Sequence, residues 1–412
     1  VDTTILSTTG EAIISWPAIQ GAVEYDMEWA FVDNEALQDT SLYKTAGALD
    51  AKKVFANNAS RVTTTSTAYR IPVIYDELGT VFVRYRPVQV RPNGQRYEGN
   101  WSSDNTGGLG QISTNTGHER TLNWQSTTSF AEESKRKTVV QYYDGTLRQR
   151  QTVTKDNTTN TTVVAETFYD FQGRAVIQVL PAPTLSTLIG YSKNFNRGIN
   201  ASPYDKNMYD TLLNKSDYCL NPAPAMGTDS GAAKYYSASN PLATLAYHKY
   251  IPNAQGYAFT ETRYSQDNSG RVLAQSGVGN DFKIGSGRET KYFYSNPAQF
   301  EIDGVFGTEA GYASHYTKTL VRDANGQYSV SYTDMHGRTV ATALAGKAPA
   351  ALDTLTSYNK RTVTEKLSDS TNNLIYDRVM ESSRSIMVTD SGLHTFNYTL
   401  NPDSLRSQTC NN

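Results

Sequence analysis

Cysteine is nearly absent from this sequence of 412 residues, which contains only Cys219 and Cys410. Two cysteines cannot build a disulfide scaffold, and without histidines at ligand spacing they are too few for a zinc site. Three alternatives stay open for them: a single bridge, two unrelated thiols, or pairing of Cys410 with residues beyond the end of the sequence.

Charge of one sign is lacking as well. The chain has 38 basic and 40 acidic residues, so its net charge is -2. No overall field would attract nucleic acid or an anionic membrane surface, and we expect no nucleic-acid partner. The sequence also lacks an apolar run of 18 or more residues, so we expect no membrane-spanning helix.

Motifs for catalysis and metal binding are missing too. There is no GxSxG, Walker or HExxH motif, and the five histidines are dispersed without ligand spacing. Asp323-Ala324-Asn325-Gly326 is half of a calcium loop, but Asp334 stands where the twelfth position wants Glu, and a β-turn explains the same residues. We therefore expect no enzyme activity, no cofactor and no metal site.

What the sequence does contain is tyrosine, 28 residues of it against four tryptophans. Aromatic residues make up 11% of the chain and supply apolar surface that can form a core. We therefore do not expect general disorder, although the mean hydropathy is -0.54. Tyrosine suits half-buried strand faces, and exposed tyrosine suits contact with carbohydrate or protein. We favour the structural interpretation.

Residues 1–112 have the pattern of short strands separated by turns. In one strand, apolar residues alternate with acidic ones and share a face: Val23, Tyr25, Met27 and Trp29. A later strand alternates through Val81, Val83 and Tyr85, and Pro92-Asn93-Gly94 predicts a hairpin after it. This spacing predicts a β-sandwich of two sheets.

The same region resembles a fibronectin type III domain. Trp16 stands where that family keeps its inner tryptophan, Tyr25 follows in the next strand, and Leu78 and Tyr85 resemble the family's late-strand leucine and tyrosine. The stretch from 34 to 66 is longer than the family usually has and contains a weak helical piece at 45–55. The resemblance covers about a quarter of the chain and implies a spacer or adhesive module.

A second pattern recurs in residues 113–412, where an aromatic residue precedes an Asp-containing turn, then Gly-Arg, then a strand. Its members are Tyr169/Asp170/Gly173/Arg174, Tyr264/Asp267/Gly270/Arg271 and Tyr332/Asp334/Gly337/Arg338. A degenerate member is Tyr143/Asp144/Gly145, in which Leu147-Arg148 replaces Gly-Arg. Glycine allows positive φ, Asp accepts hydrogen bonds from turn amides, and Tyr supplies an apolar face with a polar tip. Repetition predicts stacked hairpins.

These segments resemble the YD repeats of the RHS (rearrangement hotspot) family, over residues 140–400. The stretch from Gln141 to Pro181 is similar to the region that leads into the repeats in very large secreted RHS proteins of Bacteroidota. The resemblance implies a β-ribbon that begins a spiral or shell and continues beyond residue 412. Residues 184–260 interrupt the pattern, and we expect a loop-rich insertion there with a short helix at 203–213.

The sequence thus predicts an all-β protein: a sandwich at 1–112, then a YD-repeat region at 113–412. The resemblance implies a non-catalytic segment of a large secreted or cell-surface protein that scaffolds or encapsulates a toxin or effector. Its partners would be the remainder of its own polypeptide, with its RHS core and C-terminal effector, and the type IX secretion machinery or surface proteins. The ends of the sequence favour the interior of a longer polypeptide, or a trimmed product.

Two alternative functions stay open. One is a surface adhesin, or a module that binds glycan or protein through its sandwich or its tyrosine-rich faces. The other is a carbohydrate-active enzyme, which would need two carboxylates brought together by the fold, and no local arrangement in the sequence points to such a pair.

Overall fold

The computed structural model describes residues 1–6, 10–39, 41–104, 108–114, 117–158, 161–209, 222–265 and 267–346, and then 366, 373–376, 379–383, 385 and 393–399. Both cysteines lie outside these residues. The chain forms two compact units, of which the first is Val1–Arg263 with Gln275–Glu289 and the second is Tyr264–Ala274 with Thr290–Asn412.

The protein is all-β, as the sequence predicts, and its strands pair antiparallel. In chain order the strands are β1 (Asp2–Leu6), β2 (Glu11–Ser15), β3 (Glu24–Asp33), β4 (Lys44–Thr45), β5 (Ala48–Leu49), β6 (Ser60–Thr64), β7 (Ala68–Pro72), β8 (Gly79–Val90), β9 (Arg96–Glu98), β10 (Gly110–Thr114), β11 (Asn123–Phe130), β12 (Arg136–Tyr143), β13 (Gln149–Asp156), β14 (Val163–Tyr169), β15 (Ala175–Val179), β16 (Ala182–Pro183), β17 (Phe259–Tyr264), β18 (Val272–Gln275), β19 (Thr290–Ser295), β20 (Tyr316–Arg322), β21 (Tyr328–Asp334), β22 (Thr339–Ala345), β23 (Asn373–Tyr376) and β24 (Val379–Ser382).

Helices are short throughout the described chain. The α-helices are α1 (Asn34–Gln38), α2 (Ala51–Val54), α3 (Lys206–Tyr209), α4 (Gly231–Tyr235) and α5 (Gln299–Phe306). Single 3₁₀ turns lie at Ser102–Asp104, His248–Tyr250, Asn280–Phe282, Thr308–Ala310 and Ala313–His315.

The first ten strands include two sheets that pack face to face. One has the order β1-β2-β7 and the other β10-β8-β3-β6, with β9 added to β8. Tyr25, Met27 and Trp29 of β3 are buried in the core that the two sheets share, against Ile14 of β2 and Ile71 of β7. This is the sandwich that the alternation predicts. The chain leaves this sandwich between Thr114, where β10 ends, and Asn123, where β11 begins, so the predicted boundary at residue 112 lies within β10.

Val23 departs from that pattern, because it precedes β3 and is 54% exposed. The predicted helical piece at 45–55 is also shorter than expected. The structure has the small strands β4 and β5 there and a helix only at α2, which Asp50 caps by accepting from the amide of Lys52.

The acidic face of β3 is buried as well. Asp26 and Glu28 lie beneath arginines from the neighbouring strands, among them Arg84 and Arg86 of β8. The guanidinium carbons of these two arginines lie 4.3 and 4.6 Å from the ring centre of Trp101. Both carboxylates are therefore paired and covered rather than solvated, which a strictly alternating strand with one wet face would not require.

A third sheet in the first unit carries the beginning of the repeat region. Its strands follow the order β11-β12-β13-β14-β15-β17, and β16 pairs with β14. Val140, Val153 and Val164 face one side, where Ile189 of the predicted insertion packs on them. Residues 184–258 contain short helices and no strand among those described, and α3 occupies only part of the helix expected at 203–213, whose last four residues lie outside the described chain.

A buried ion cluster joins the sandwich to the third sheet within the first unit. Glu11 of β2 accepts from Arg136 of β12 at 3.0 Å and from Lys155 of β13 at 2.7 Å. Arg136 also donates to the carbonyl of Arg70, and Lys155 to that of Thr187. All three charged side chains are at most 2% exposed, so the cluster fixes how the two parts pack.

The second unit contains the strand order β18-β19-β20-β21-β22 and a separate hairpin of β23 and β24. Ile302 of α5 packs on Val330 and Tyr332 of β21. Beside this core, Lys318 donates to both carboxylate oxygens of Glu301, at 2.9 and 3.0 Å, and both residues are buried. A single helix thus covers one face of the strands.

Candidate functional site

Asp170 ends β14 and organises the turn that follows it. One carboxylate oxygen accepts from the amides of Gln172 and Arg174, at 3.0 and 2.9 Å, and the other accepts from Arg174 Nε at 2.8 Å. Two backbone hydrogen bonds, from Asp170 N to Arg174 O and from Gly173 N to Asp170 O, close the turn. The carboxylate therefore accepts the hydrogen bonds that the turn amides would otherwise donate to water. It also holds the Arg174 side chain in place.

The same geometry recurs at two further turns. Asp144 accepts from the amides of Thr146 and Arg148 at 2.8 and 3.0 Å, and from Arg148 Nε at 3.0 Å. Asp334 accepts from the amides two and four residues ahead at 2.9 Å each, and from Arg338 Nε at 2.8 Å. Three of the four motif copies seen in the sequence thus share one hydrogen-bond geometry.

The fourth position of this turn requires a positive φ. Gly173 and Gly337 have φ of +82° and +77°. In the degenerate copy Leu147 takes the position at +61°, while its side chain is 72% exposed. The turn at Asp144 is therefore intact, although leucine is strained in a conformation that glycine adopts freely.

The copy at Tyr264 departs from the other three. Its turn is two residues longer, because Ser265 rather than the aspartate pairs with Arg271, the amide of Ser265 donating to the carbonyl of Arg271 at 2.7 Å. Asp267 lies within the loop and accepts from the amide of Ser269. Gly270 still has a positive φ, of +72°. The sequence groups these residues with the other copies of the motif. The two extra residues in this turn, however, move the aspartate from the end of the strand into the loop.

An arginine–tyrosine contact links two of these turns to the next strand, those that end at Arg148 and Arg271. Arg148 lies over the ring of Tyr169, 5.1 Å from its centre, and the Tyr169 hydroxyl donates to the carbonyl of Gln149 at 2.7 Å. In the second unit, Arg271 lies 5.2 Å from the ring centre of Tyr294. The Tyr294 hydroxyl donates to the carbonyl of Val272, again the residue after the arginine, at 3.0 Å. We call this the arginine–tyrosine ladder.

Tyr294 was missed in the sequence because Ser295 follows it where the motif has Asp. The sequence did contain a signal for it. Tyr294 lies near the end of an alternating strand, and that strand follows the one that begins after Gly270-Arg271. Tyr332 lies two residues before Asp334, whereas Tyr169 directly precedes Asp170. It is therefore not at the end of the strand but in the core beside Ile302, where it is only 1% exposed. Burial raises the pKa of Tyr332 to about 12, with a further contribution from Glu301.

The carboxylates of Asp144 and Asp334 are held in their ionised form. Burial raises the pKa of Asp144, but the hydrogen bonds from Thr146 and Arg148 and the charge of Arg148 outweigh it and lower the pKa to about 2. Hydrogen bonds from the amide and side chain of Arg338 likewise lower the pKa of Asp334. A carboxylate so occupied is an acceptor within a turn and has no proton to give, so the arrangement suits structure rather than acid–base chemistry.

A buried polar network fixes the predicted insertion on the third sheet. Glu166 of β14 accepts from Gln151 Nε2 at 2.8 Å and from Asn196 Nδ2 at 2.7 Å. Gln151 accepts from the amide of Ser192 and donates to its carbonyl, and Asn196 accepts from the amide of Ala232 in α4. Burial raises the pKa of Glu166, against the effect of these hydrogen bonds. The network holds residues 192–196 and α4 around a cavity of about 530 Å³.

The histidines within the described residues have aromatic or polar neighbours and do not converge. His118 Nε2 lies 3.1 Å from the Tyr142 hydroxyl and 3.4 Å from a Glu119 carboxylate oxygen. His248 Nδ1 lies 3.0 Å from the Tyr235 hydroxyl. Over the described ranges, no three residues among His, Cys, Asp and Glu come together as metal ligands. The calcium-like Asp323 instead closes the turn between β20 and β21 by accepting two amides.

Comparison with known families gives one match, to the Domain of unknown function (DUF6443), over residues 114–218. That range covers the ladder from Arg148 to Tyr169, both aspartate turns of the first unit and the first part of the insertion. No curated protein matches the chain. None of the described helices is long and apolar enough to cross a membrane.

Proposed function

We propose that the chain is a non-catalytic structural segment of a large secreted or cell-surface protein of RHS type. In this proposal it scaffolds or encapsulates an effector carried elsewhere in the same polypeptide. A sandwich like a fibronectin type III domain comes first, and the repeat region follows it.

The observation that carries the proposal is the repeated turn with its ladder. Asp144, Asp170 and Asp334 make the same three hydrogen bonds, and Arg148 and Arg271 make the same contact with the next tyrosine. The hairpins at Arg148 and Arg271 therefore carry groups that position a tyrosine of the following strand. Such a rule adds strands one after another, which is how a continuous ribbon is built.

The first part of the chain supports the accompanying sandwich. Trp16 stacks on Tyr85 at 5.4 Å between ring centres and meets Tyr25 edge-on at 5.7 Å. Three of the four residues on which the resemblance rests therefore lie together at the core, whereas the fourth, Leu78, is 37% exposed. Fibronectin type III domains share this architecture of two packed sheets.

The first test is the intact mass of the native polypeptide, with its C-terminal sequence. The proposal expects a chain that continues for many residues beyond Asn412 with further Tyr-Asp turns. A native chain that stops near residue 412 would contradict encapsulation, because too few strands would remain to enclose a second domain.

A second test uses that full polypeptide and limited proteolysis. Tyr169→Leu combined with Tyr294→Leu removes two ladder contacts, so we expect faster cleavage of the segment beyond the repeats. Tyr312→Leu is the matched control, because Tyr312 is 75% exposed. Equal cleavage of all three proteins would mean that the repeats do not protect that segment.

A separate observation favours the binding-module alternative. Tyr247 has φ of +69°, unusual for an aromatic residue, and is 83% exposed, while Tyr250 is 72% exposed. The bond of His248 to Tyr235 anchors the turn between them. Strained residues that present aromatic rings are found at binding sites. Tyr247→Ala and Tyr250→Ala should abolish a glycan-array signal that Tyr312→Ala preserves.

A further inference from the structure

The cavity beside α4 is large enough for a small ligand. Its volume of about 530 Å³ falls within the range of small-molecule sites. Its walls come from four stretches, around 183–186, 192–195, 229–235 and 241–242, which lie in the insertion except for residue 183 at the end of β16. Gln151, Glu166 and Asn196 bind two of these stretches to the sheet. The walls are therefore held in place before any ligand arrives.

Charge in the cavity is of mixed sign with an excess of lysine. Lys193 and Lys234 line it, and neither side chain forms an ion pair or hydrogen bond within the described chain. Asp229 also lines it, so the three groups sum to one positive charge. Two free ammonium groups and one carboxylate suit a ligand that brings an anion together with hydrogen-bond donors.

The remaining lining combines hydroxyls, aromatic rings and the aliphatic side chains of Pro183, Leu185, Pro241 and Leu242. Thr184, Ser186 and Ser192 contribute alcohol side chains, and Phe195 and Tyr235 contribute rings. The Tyr235 hydroxyl is occupied by His248, which fixes the orientation of its ring. Rings beside hydroxyl groups match the two characters of a sugar, which has an apolar ring face and polar hydroxyls around its edge.

We propose that this cavity binds a saccharide residue that carries a carboxylate. Lys193 and Lys234 pair with the carboxylate, Asp229 accepts from sugar hydroxyls, and the rings of Phe195 and Tyr235 pack against the sugar ring. A simple anion would pair with the lysines but bring no hydroxyl for Asp229 to accept from, and a neutral sugar would leave both lysines without an anionic partner. The proposal depends on the cavity alone and does not require the scaffold function.

The experiment is isothermal titration calorimetry on the full chain with two matched probes. One is a disaccharide of glucose and glucuronic acid, and the other is the glucose disaccharide of the same linkage. We expect the acidic probe to bind about ten-fold more tightly, and Lys193→Ala or Lys234→Ala to weaken it about ten-fold each, as for loss of a charge-assisted hydrogen bond. Binding should also weaken as salt is added.

The control is Lys52→Ala, an exposed lysine of the sandwich, which should leave affinity unchanged. Unfolding curves check that each variant is folded, since Lys193 is exposed and its loss should not alter stability. Equal affinity for the two disaccharides, full competition by inorganic phosphate, or no binding of the acidic probe would each overturn the proposal. Loss of the signal in Tyr247→Ala alone, with both lysine variants unaffected, would place binding at the exposed tyrosines instead.

Discussion

Aspartate closes four of the described turns, those at Asp144, Asp170, Asp323 and Asp334, and in three of them an arginine side chain also binds the carboxylate. At Asp323 the turn has Gln327 in the arginine position, yet the carboxylate still accepts the amides of Asn325 and Gln327 at 2.9 and 2.8 Å. The turn therefore needs the aspartate but not the arginine. In the turn at Asp144 the arginine also contacts the next strand, because Arg148 lies over the ring of Tyr169.

Leu147 occupies a backbone position that favours glycine. Its φ of +61° costs a residue with a Cβ about 1–2 kcal/mol, and its exposed side chain contributes little burial. We predict that Leu147→Gly raises the free energy of unfolding by about 0.5–1 kcal/mol, after the greater entropy of glycine in the unfolded chain is counted. Urea unfolding monitored by tryptophan fluorescence would measure it.

Two variants calibrate that result. Gly337→Ala should lose about 1 kcal/mol, because its φ is +77° and a Cβ there meets open space, so that only the backbone is strained. Gly145→Ala should be nearly neutral, since Gly145 has no positive φ and no neighbour close to the added methyl group. A destabilised Leu147→Gly would show that the leucine makes an apolar contact worth more than the strain.

Acid should weaken the turn at Asp144 over a defined range. Its pKa in the folded chain is about 2, below the usual 3.8, so the unfolded chain binds a proton first as pH falls. The stabilisation is complete above pH 3.8 and is lost as pH falls through about 2. We predict that Asp144→Asn is less stable than the parent at pH 6 and that the two converge near pH 2. A constant difference across this range would contradict the assigned pKa.

At the scale of strands, buried charge decides how neighbouring elements pack. Glu11 on β2 receives Arg136 and Lys155 from β12 and β13, so one acidic residue matches two strands of another sheet. The alternation of β2 marks Glu11 only as a polar position at the start of a strand. Its burial depends on residues more than 120 positions away, which no local pattern contains.

Removing the charge of Glu11 should be costly. We predict that Glu11→Gln lowers the free energy of unfolding by about 3–5 kcal/mol, because Arg136 and Lys155 would stay buried without their anion. Equilibrium urea unfolding would measure the loss. Glu77→Gln is the matched control, because Glu77 is exposed, and it should change stability by less than about 0.5 kcal/mol. A small effect of Glu11→Gln would mean that water or another carboxylate compensates the two cations.

For the molecule as a whole, β22 is a sheet edge that favours association with another chain. Among the described residues it pairs with β21 alone, and its sequence from Thr339 to Ala345 has no charge and no proline. Leu344 is 76% exposed on it. Strand edges of this kind pair with other chains unless a charge blocks them.

We therefore predict that the 412-residue chain self-associates as its concentration rises, and that Leu344→Lys reduces this. Sedimentation velocity at several concentrations would measure it. Leu393→Lys is the control, because Leu393 is 98% exposed but lies outside any described strand. A monomer at high concentration, or equal suppression by both variants, would rule out β22 as the contact.

The sequence by itself determined the all-β class, the alternating core face of β3, the hairpin turns and most of the motif residues. It could do so because alternation has a period of two residues and a turn is built from neighbours in the chain. Only the tertiary structure decided that Tyr294 belongs to the ladder, that Tyr332 lies in a core, and that Glu11 joins two sheets. It also decided that the insertion packs on the third sheet and lines an open cavity. These depend on contacts between distant residues, whose free energy comes from burial and pairing that no local pattern records.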